Sequence, residues 1–209
     1  MIISYDRVRH LIKDADILLF KGGKFPSIGW WIAKYSQSPY SHVGLAYWKN
    51  DRLYCLEFRE FKGARQYPLS QYVSEYPGRI DVFRSCERIE VPVLVNNQDT
   101  PIYCSYEIYN FTQVTAKKII KHALELIEKN ENYGYHLIWR MAKGHIPFLR
   151  LFDSVKYDDE NGTLYVCSTL VTKTYRKYFV DPVDFLSDEY TTPGNIARSV
   201  MFRRLFTIE

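Results

Sequence analysis

Two hydrophobic periods alternate along the chain, and the switches between them mark out its elements. Near the N-terminus Val8, Leu11 and Ile12 form a stripe on a short helix over 5–13, with Asp6 near its start. The apolar run DILLF at 16–20 follows as a buried strand that ends in the KGGK turn. In PSIGWWIAKYSQ, the residues Ile28, Trp31, Ile32 and Tyr35 recur at helical spacing, which predicts a helix with one buried face that Gly29 slightly weakens. Strands are predicted over 42–48, 53–59, 80–85 and 89–95, the first two joined by the hairpin-like KNDR. The strongest helix covers 115–129, with Ile119, Ile120, Ala123, Leu124 and Ile127 on one side and Lys117, Lys118, Lys121, Glu125 and Glu128 on the other. His122 falls on its polar flank and reads as a surface residue. NNQDTP at 96–101 and YDDENGT at 157–163 read as loops. There is no internal repeat, low-complexity tract or linker, so one domain over 1–209 is expected.

The stretch SPYSHVGLAYW puts a histidine at the mouth of a strand. Strict alternation from Tyr40 sends Tyr40, His42 and Gly44 to one face and Ser41, Val43 and Leu45 to the other. If 42–48 pairs with 53–59 around KNDR, then His42 and Glu57 become cross-strand neighbours, provided that they share a face. A slip of one residue would separate them. A carboxylate behind an imidazole fixes its tautomer and suits it to work as a general base. By the same alternation Tyr40 is expected beside His42, as an oxyanion donor or a pocket wall.

Further on, LYVCSTLVTKTY admits two readings. Its branched residues suit a strand over 164–171. Alternatively, a helix starts at Cys167 and packs Leu170, Val171 and Thr174 inward. The second has chemical consequences: a cysteine in the first helical turn feels the positive end of the macrodipole, which favours thiolate, and the first backbone amides can hold an oxyanion.

Composition narrows the field. With 46% hydrophobic and 16% aromatic residues, 209 residues suffice for a sizeable core. The net charge of +4 is scattered rather than gathered into a stripe, so no nucleic-acid partner is expected. Charges from Asp6 to Asp16 interrupt any secretion signal, and no apolar run approaches the roughly 20 residues that span a bilayer, so a cytoplasmic protein is expected. Cys55, Cys86, Cys104 and Cys167 include no CxxC pair and no histidine at zinc-ligand spacing. Neither a metal nor another cofactor is therefore expected, and Cys55, Cys86 and Cys104 read as small buried hydrophobes. His10, His136 and His145 carry no comparable pattern.

Taken in order, DADILLF, SPYSHVGLAYW, YCLEF, YVCSTLV and TTPGNIARS resemble the permuted papain-like cysteine hydrolases, in the YiiX-type branch of the NlpC superfamily, which is related to lecithin retinol acyltransferase. The resemblance runs over about 14–198, with Thr169 where relatives often have glutamate and Asp14-Ala15-Asp16 where Gly-Asp is usual. It implies an α+β fold, an antiparallel sheet packed against helices, with the nucleophile at a helix N-terminus. It also implies Cys167 as nucleophile, His42 as general base and Glu57 as the acid that orients the imidazole. Histidine then precedes cysteine, as in a circular permutation; triads are recognised by geometry, not chain order.

The expected function is a cysteine-dependent amidase or peptidase working through an acyl-thioester, on a cell-wall peptide or a lipid-linked amide or ester. The alternatives are a lipid acyltransferase or thioesterase of the retinol acyltransferase type, and a non-catalytic binding module. The partner is thus a small peptide, an amino-acid-containing molecule or a lipid. The basic, aromatic segment YGYHLIWRMAKGHIPFLRLF at 133–152 suits peripheral membrane contact or an acyl-chain groove, and equally a buried helix with snorkelling cations.

Overall fold

The computed structural model describes residues 2–22, 27–59, 62–95, 103–129, 166–188 and 190–209. The loop expected at 96–101, the basic aromatic segment at 133–152 with His136 and His145, and the polar stretch at 157–163 lie outside the described residues.

The elements run β1 (Ile2–Ile3), α1 (Tyr5–Val8), a 3-10 turn (Arg9–Leu11), β2 (Ile17–Lys21), α2 (Ile28–Tyr35), β3 (Tyr40–Lys49), β4 (Arg52–Arg59), β5 (Gly63–Pro68) and α3 (Leu69–Glu75). They continue with β6 (Arg79–Ser85), β7 (Arg88–Val95), β8 (Tyr103–Asn110), α4 (Gln113–Glu128), α5 (Cys167–Tyr178), α6 (Pro193–Arg198) and β9 (Phe202–Ile208). Seven strands form one sheet in the order β1-β9-β6-β2-β3-β4-β5, and β7 and β8 form a separate antiparallel pair. The architecture is α+β, with a sheet packed against helices. The sheet is mixed rather than purely antiparallel, because β1 pairs with β9 in parallel. That pair closes the sheet with the two ends of the chain, a long-range contact that no local pattern announces.

The sheet is buried on both faces. On one, Ile17, Leu19, Val43, Leu45, Leu56 and Phe58 pack against Ile119, Ala123 and Ile127 of α4 and Leu170, Val171 and Tyr175 of α5. On the other, Leu18, Phe20, Ala46 and Cys55 pack against Tyr5 and Val8 of α1 and Leu69 and Tyr72 of α3. Double coverage explains why DILLF reads as a continuous apolar run instead of an alternating one.

The β3–β4 hairpin turns at Asn50 and Asp51, both with positive φ (48° and 59°), the geometry of the tight turn that matches strand twist. This turn fixes the register Leu45↔Leu56 and Ala46↔Cys55, which carries Gly44 opposite Glu57. At the other end of β2 the carboxylate of Asp16 takes both Nε and Nη2 of Arg84 (2.8 and 2.7 Å), and Asp14 accepts the Trp48 amide at 2.7 Å. The acidic start of this strand thus serves to anchor it.

Of the two readings of LYVCSTLV, the helix is the one adopted from Cys167 onward, with Leu170, Val171 and Thr174 buried as its inward face. Thr169 Oγ1 accepts the Val166 amide at 3.3 Å, and the Thr169 amide returns to the Val166 carbonyl at 3.0 Å. Ser168 Oγ donates to the Thr191 carbonyl at 2.5 Å, tying the helix start to the turn before α6. There Thr192 Oγ1 accepts the Asn195 amide at 3.2 Å, and Pro193 opens the helix where no amide is needed. A Cβ on Gly194 would meet Ser38 Cβ at 2.6 Å, so the TPGN segment reads structurally as a cap and a close approach.

Candidate active site

The strand pairing brings His42 and Glu57 onto one face, and their side chains meet. His42 Nε2 lies 2.5 Å from Glu57 Oε2. The carboxylate reaches back over Gly44, whose missing Cβ leaves the room: a methyl there would sit 2.4 Å from Cys55 Sγ, 2.9 Å from the Leu56 carbonyl and 3.5 Å from Glu57 Cβ. On the other side the imidazole packs on Phe20, ring centres 5.2 Å apart.

Cys167 is the first residue of α5 and is 2% exposed. Its side chain lies close enough to His42 to help raise the pKa of the imidazole. A carboxylate, an imidazole and a thiol thus follow one another, the thiol at a helix start.

Glu57 is completely buried and is held by more than His42. Its Oε1 accepts Arg65 Nε at 2.6 Å and the hydroxyl of Tyr72, and Arg59 Nη1 stands 4.0 Å from Oε2. Tyr72 in turn accepts Arg59 Nη1 at 2.7 Å and Arg65 Nη2 at 2.8 Å. Burial opposes the charge on Glu57, yet His42, Tyr72 and Arg65 together hold its pKa down to about 2. Burial likewise opposes a charged His42, but the Glu57 carboxylate and Cys167 outweigh it and raise its pKa to about 9. At neutral pH the imidazole is therefore an imidazolium.

Arg59, Arg65 and Tyr72 are parts of this network that pattern reading of the sequence passed over. Arg65 stands directly opposite Glu57 in the β4–β5 register, but β5 and α3 are short and weakly periodic, so nothing local pointed to the pairing.

Tyr40 does not stand beside His42. The β2–β3 register shifts between Phe20 and Lys21, leaving Ser41 as the extra residue of a bulge. The bulge is held by Ser41 Oγ, which donates to the Gly22 carbonyl at 2.5 Å. It breaks the alternation and turns Tyr40 into the cluster of Val43 and Leu45. There its hydroxyl donates to Asp81 Oδ2 at 2.6 Å, and burial followed by that carboxylate raises its pKa. An oxyanion or pocket-wall role for Tyr40 is therefore withdrawn.

Cys55 and Cys86 are, like Cys167, free thiols, with Cys55 buried and Cys86 half-buried. Burial, then the nearby Glu57 carboxylate, pushes the Cys55 thiol well up and keeps it unreactive. His122 pairs with Glu125 at 3.2 Å on the partly exposed flank of α4. Among the described residues, no group of three or more His, Cys, Asp or Glu side chains is arranged to hold a metal ion. No described helix is long and apolar enough to cross a membrane.

Neither a family model nor a curated protein matches this sequence. Solved structures do. The crystal structure of the metalloprotein YiiX from Escherichia coli O157:H7 superposes with a TM-score of 0.55 at 14% identity, over 93% of this chain and 96% of that one. The fold is similar to that of YiiX. The likeness to YiiX extends over nearly both chains, so it covers the whole architecture that positions His42, Glu57 and Cys167. At this identity the YiiX comparison speaks for the fold alone.

Proposed function

We propose that the protein is a cysteine hydrolase of the permuted papain-like kind, with Cys167 as nucleophile, His42 as its acid and base, and Glu57 as the residue that positions the imidazole. One observation carries this: His42 meets a buried carboxylate 2.5 Å away, and the same imidazole is influenced by Cys167 at the start of a helix. A structural histidine needs one partner; this one has two, of the types and in the order that acyl transfer requires.

In the proposed reaction Cys167 starts as a thiolate paired with the His42 imidazolium, its proton already on the ring; the sulfur attacks the carbonyl carbon of an amide or ester, and the carbonyl electrons move to oxygen. The first amides of α5 are the donors proposed for that oxyanion. As the C–N or C–O bond breaks, the His42 imidazolium gives its proton to the departing amine or alcohol, leaving an acyl-thioester on Cys167. His42 then takes a proton from water, whose oxygen attacks the thioester carbon. The acid leaves, and the sulfur and imidazolium return to their starting state. Glu57 stays ionised throughout, and Arg65 and Tyr72 keep it so.

YiiX is a metalloprotein. In this chain the oxygens of Glu57 are committed to His42, Arg65 and Tyr72, and no group of three or more His, Cys, Asp or Glu side chains among the described residues is arranged to hold a metal.

Limiting iodoacetamide tests the proposal. Cys167 should alkylate ahead of Cys55, Cys86 and Cys104, and His42→Ala should remove that preference. Equal labelling of all four thiols, or a preference unchanged in His42→Ala, refutes it.

A further inference from the structure

The cavity beside His42 carries more positive charge than the proposed triad uses. Its volume is about 330 Å³, and its walls include Ser41, His42, Arg59, Lys62, Arg65 and Tyr72. Among the described residues the one acid on the wall is Glu75, whose Oε2 accepts the Tyr67 hydroxyl at 2.7 Å. Glu57 lies behind the wall, and its single negative charge is divided among His42, Arg65 and Arg59. Among the described residues four cationic groups, His42 included, thus stand against two carboxylates, and a thiolate on Cys167 would still leave the excess positive. In a partly enclosed site such an excess focuses the field on an entering anion.

The geometry is also prepared. Arg59 and Arg65 have side chains only 24% and 18% exposed, and both guanidiniums donate to the same Tyr72 hydroxyl. Two cations held side by side on one oxygen repel each other, and an anion bound across them relieves that repulsion. Arg65 is committed to Glu57 through Nε; Arg59 has its closest Glu57 oxygen at 4.0 Å, and Lys62 is exposed at the rim.

We propose that this cavity, whose wall includes His42, binds an anionic group of the substrate, a carboxylate or a phosphate, through Arg59 and Lys62. This rests on the cysteine-hydrolase reading and narrows it: the acyl donor is an anionic amide or ester rather than a neutral lipid.

Two esters of matched length separate the possibilities, neutral 4-nitrophenyl butyrate and its anionic counterpart, the 4-nitrophenyl monoester of glutaric acid. The expected kcat/KM for the anionic ester exceeds that for the neutral one by about tenfold or more, the worth of one charge-assisted contact. The ratio should fall towards unity in Arg59→Gln, in Lys62→Gln and at high salt. Lys62 is exposed, so its variant keeps the test intact if Arg59→Gln folds poorly. Equal kcat/KM for the two esters, with Cys167-dependent turnover of both, overturns the anion subsite and leaves the hydrolase standing. If neither ester shows Cys167-dependent turnover, the hydrolase reading fails, and the cavity is judged by binding alone. In that case NMR titration of Cys167→Ala with inorganic phosphate and with glutarate should saturate and weaken in Lys62→Gln; no response to either anion overturns the site. Tighter binding of phosphate assigns a phosphate-bearing substrate, and tighter binding of glutarate a carboxylate.

Discussion

Glu57→Gln keeps the shape of the side chain and removes its charge, which makes it the sharpest probe of this network. In the native protein His42 Nε2 is 2.5 Å and Arg65 Nε 2.6 Å from the carboxylate, in a setting of zero exposure. At an effective dielectric of about 20, each contact is worth roughly 6 kcal/mol before desolvation is subtracted. Removing one partner of such a buried pair costs about 3–5 kcal/mol, because the remaining charges stay buried without compensation. In a chain of this size about 2–4 °C of Tm accompanies each kcal/mol, so a thermal melt should fall by roughly 6–20 °C. The His42 titration, followed by NMR, should drop from about 9 towards or below 6.5, since burial then acts without the opposing carboxylate. Adding Arg65→Met should return part of the lost stability by removing an orphaned guanidinium. A Glu57→Gln protein that melts within about 2 °C of the native one, with His42 still titrating near 9, would refute the account of the site's electrostatics.

Two further outcomes follow from the same geometry. Folding raises the His42 pKa from 6.5 to about 9, so the stability it brings is complete below pH 6.5 and is lost as pH rises through 9. Folding lowers that of Glu57 from 4.5 to about 2, so its contribution is complete above pH 4.5 and is lost as pH falls through 2. Melts across this range should plateau between pH 4.5 and 6.5; a melting temperature that climbs from pH 7 to 9 would contradict the assignment. Gly44→Ala should cost about 1–3 kcal/mol by chemical denaturation, because the new methyl meets Cys55 Sγ at 2.4 Å, and Cys55→Ala in the same chain should recover part of it. An unaffected Gly44→Ala protein would show that the carboxylate does not need this passage.

Local pattern carried much of the architecture. The apolar period of α4 and the alternation of β3 and β4 stand in the sequence because each arises from contacts a few residues apart. The β3–β4 pairing was legible for a related reason: Asn50 and Asp51 make a turn so short that it leaves one register, and that register fixes which residues face Glu57. Short elements escaped. β5 and α3 carry no clear period, and β9 is held by pairing with β6 and β1, far away along the chain.

By itself, then, the sequence determined the longer elements and the hairpin that sets His42 and Glu57 on one face, since propensity, turn chemistry and hydrophobic period act over short separations. It also left Cys167 with two conformations, strand or helix start, that propensity could not rank. Only the tertiary structure decided between them, by packing Leu170, Val171 and Tyr175 onto the sheet. It alone decided that the Ser41 bulge turns Tyr40 away from His42, and that Arg65 and Tyr72 close around Glu57. The physical reason is the same in each case: a bulge, a buried charge network and a parallel closing pair are set by what distant segments present to one another, and a linear pattern carries no record of that.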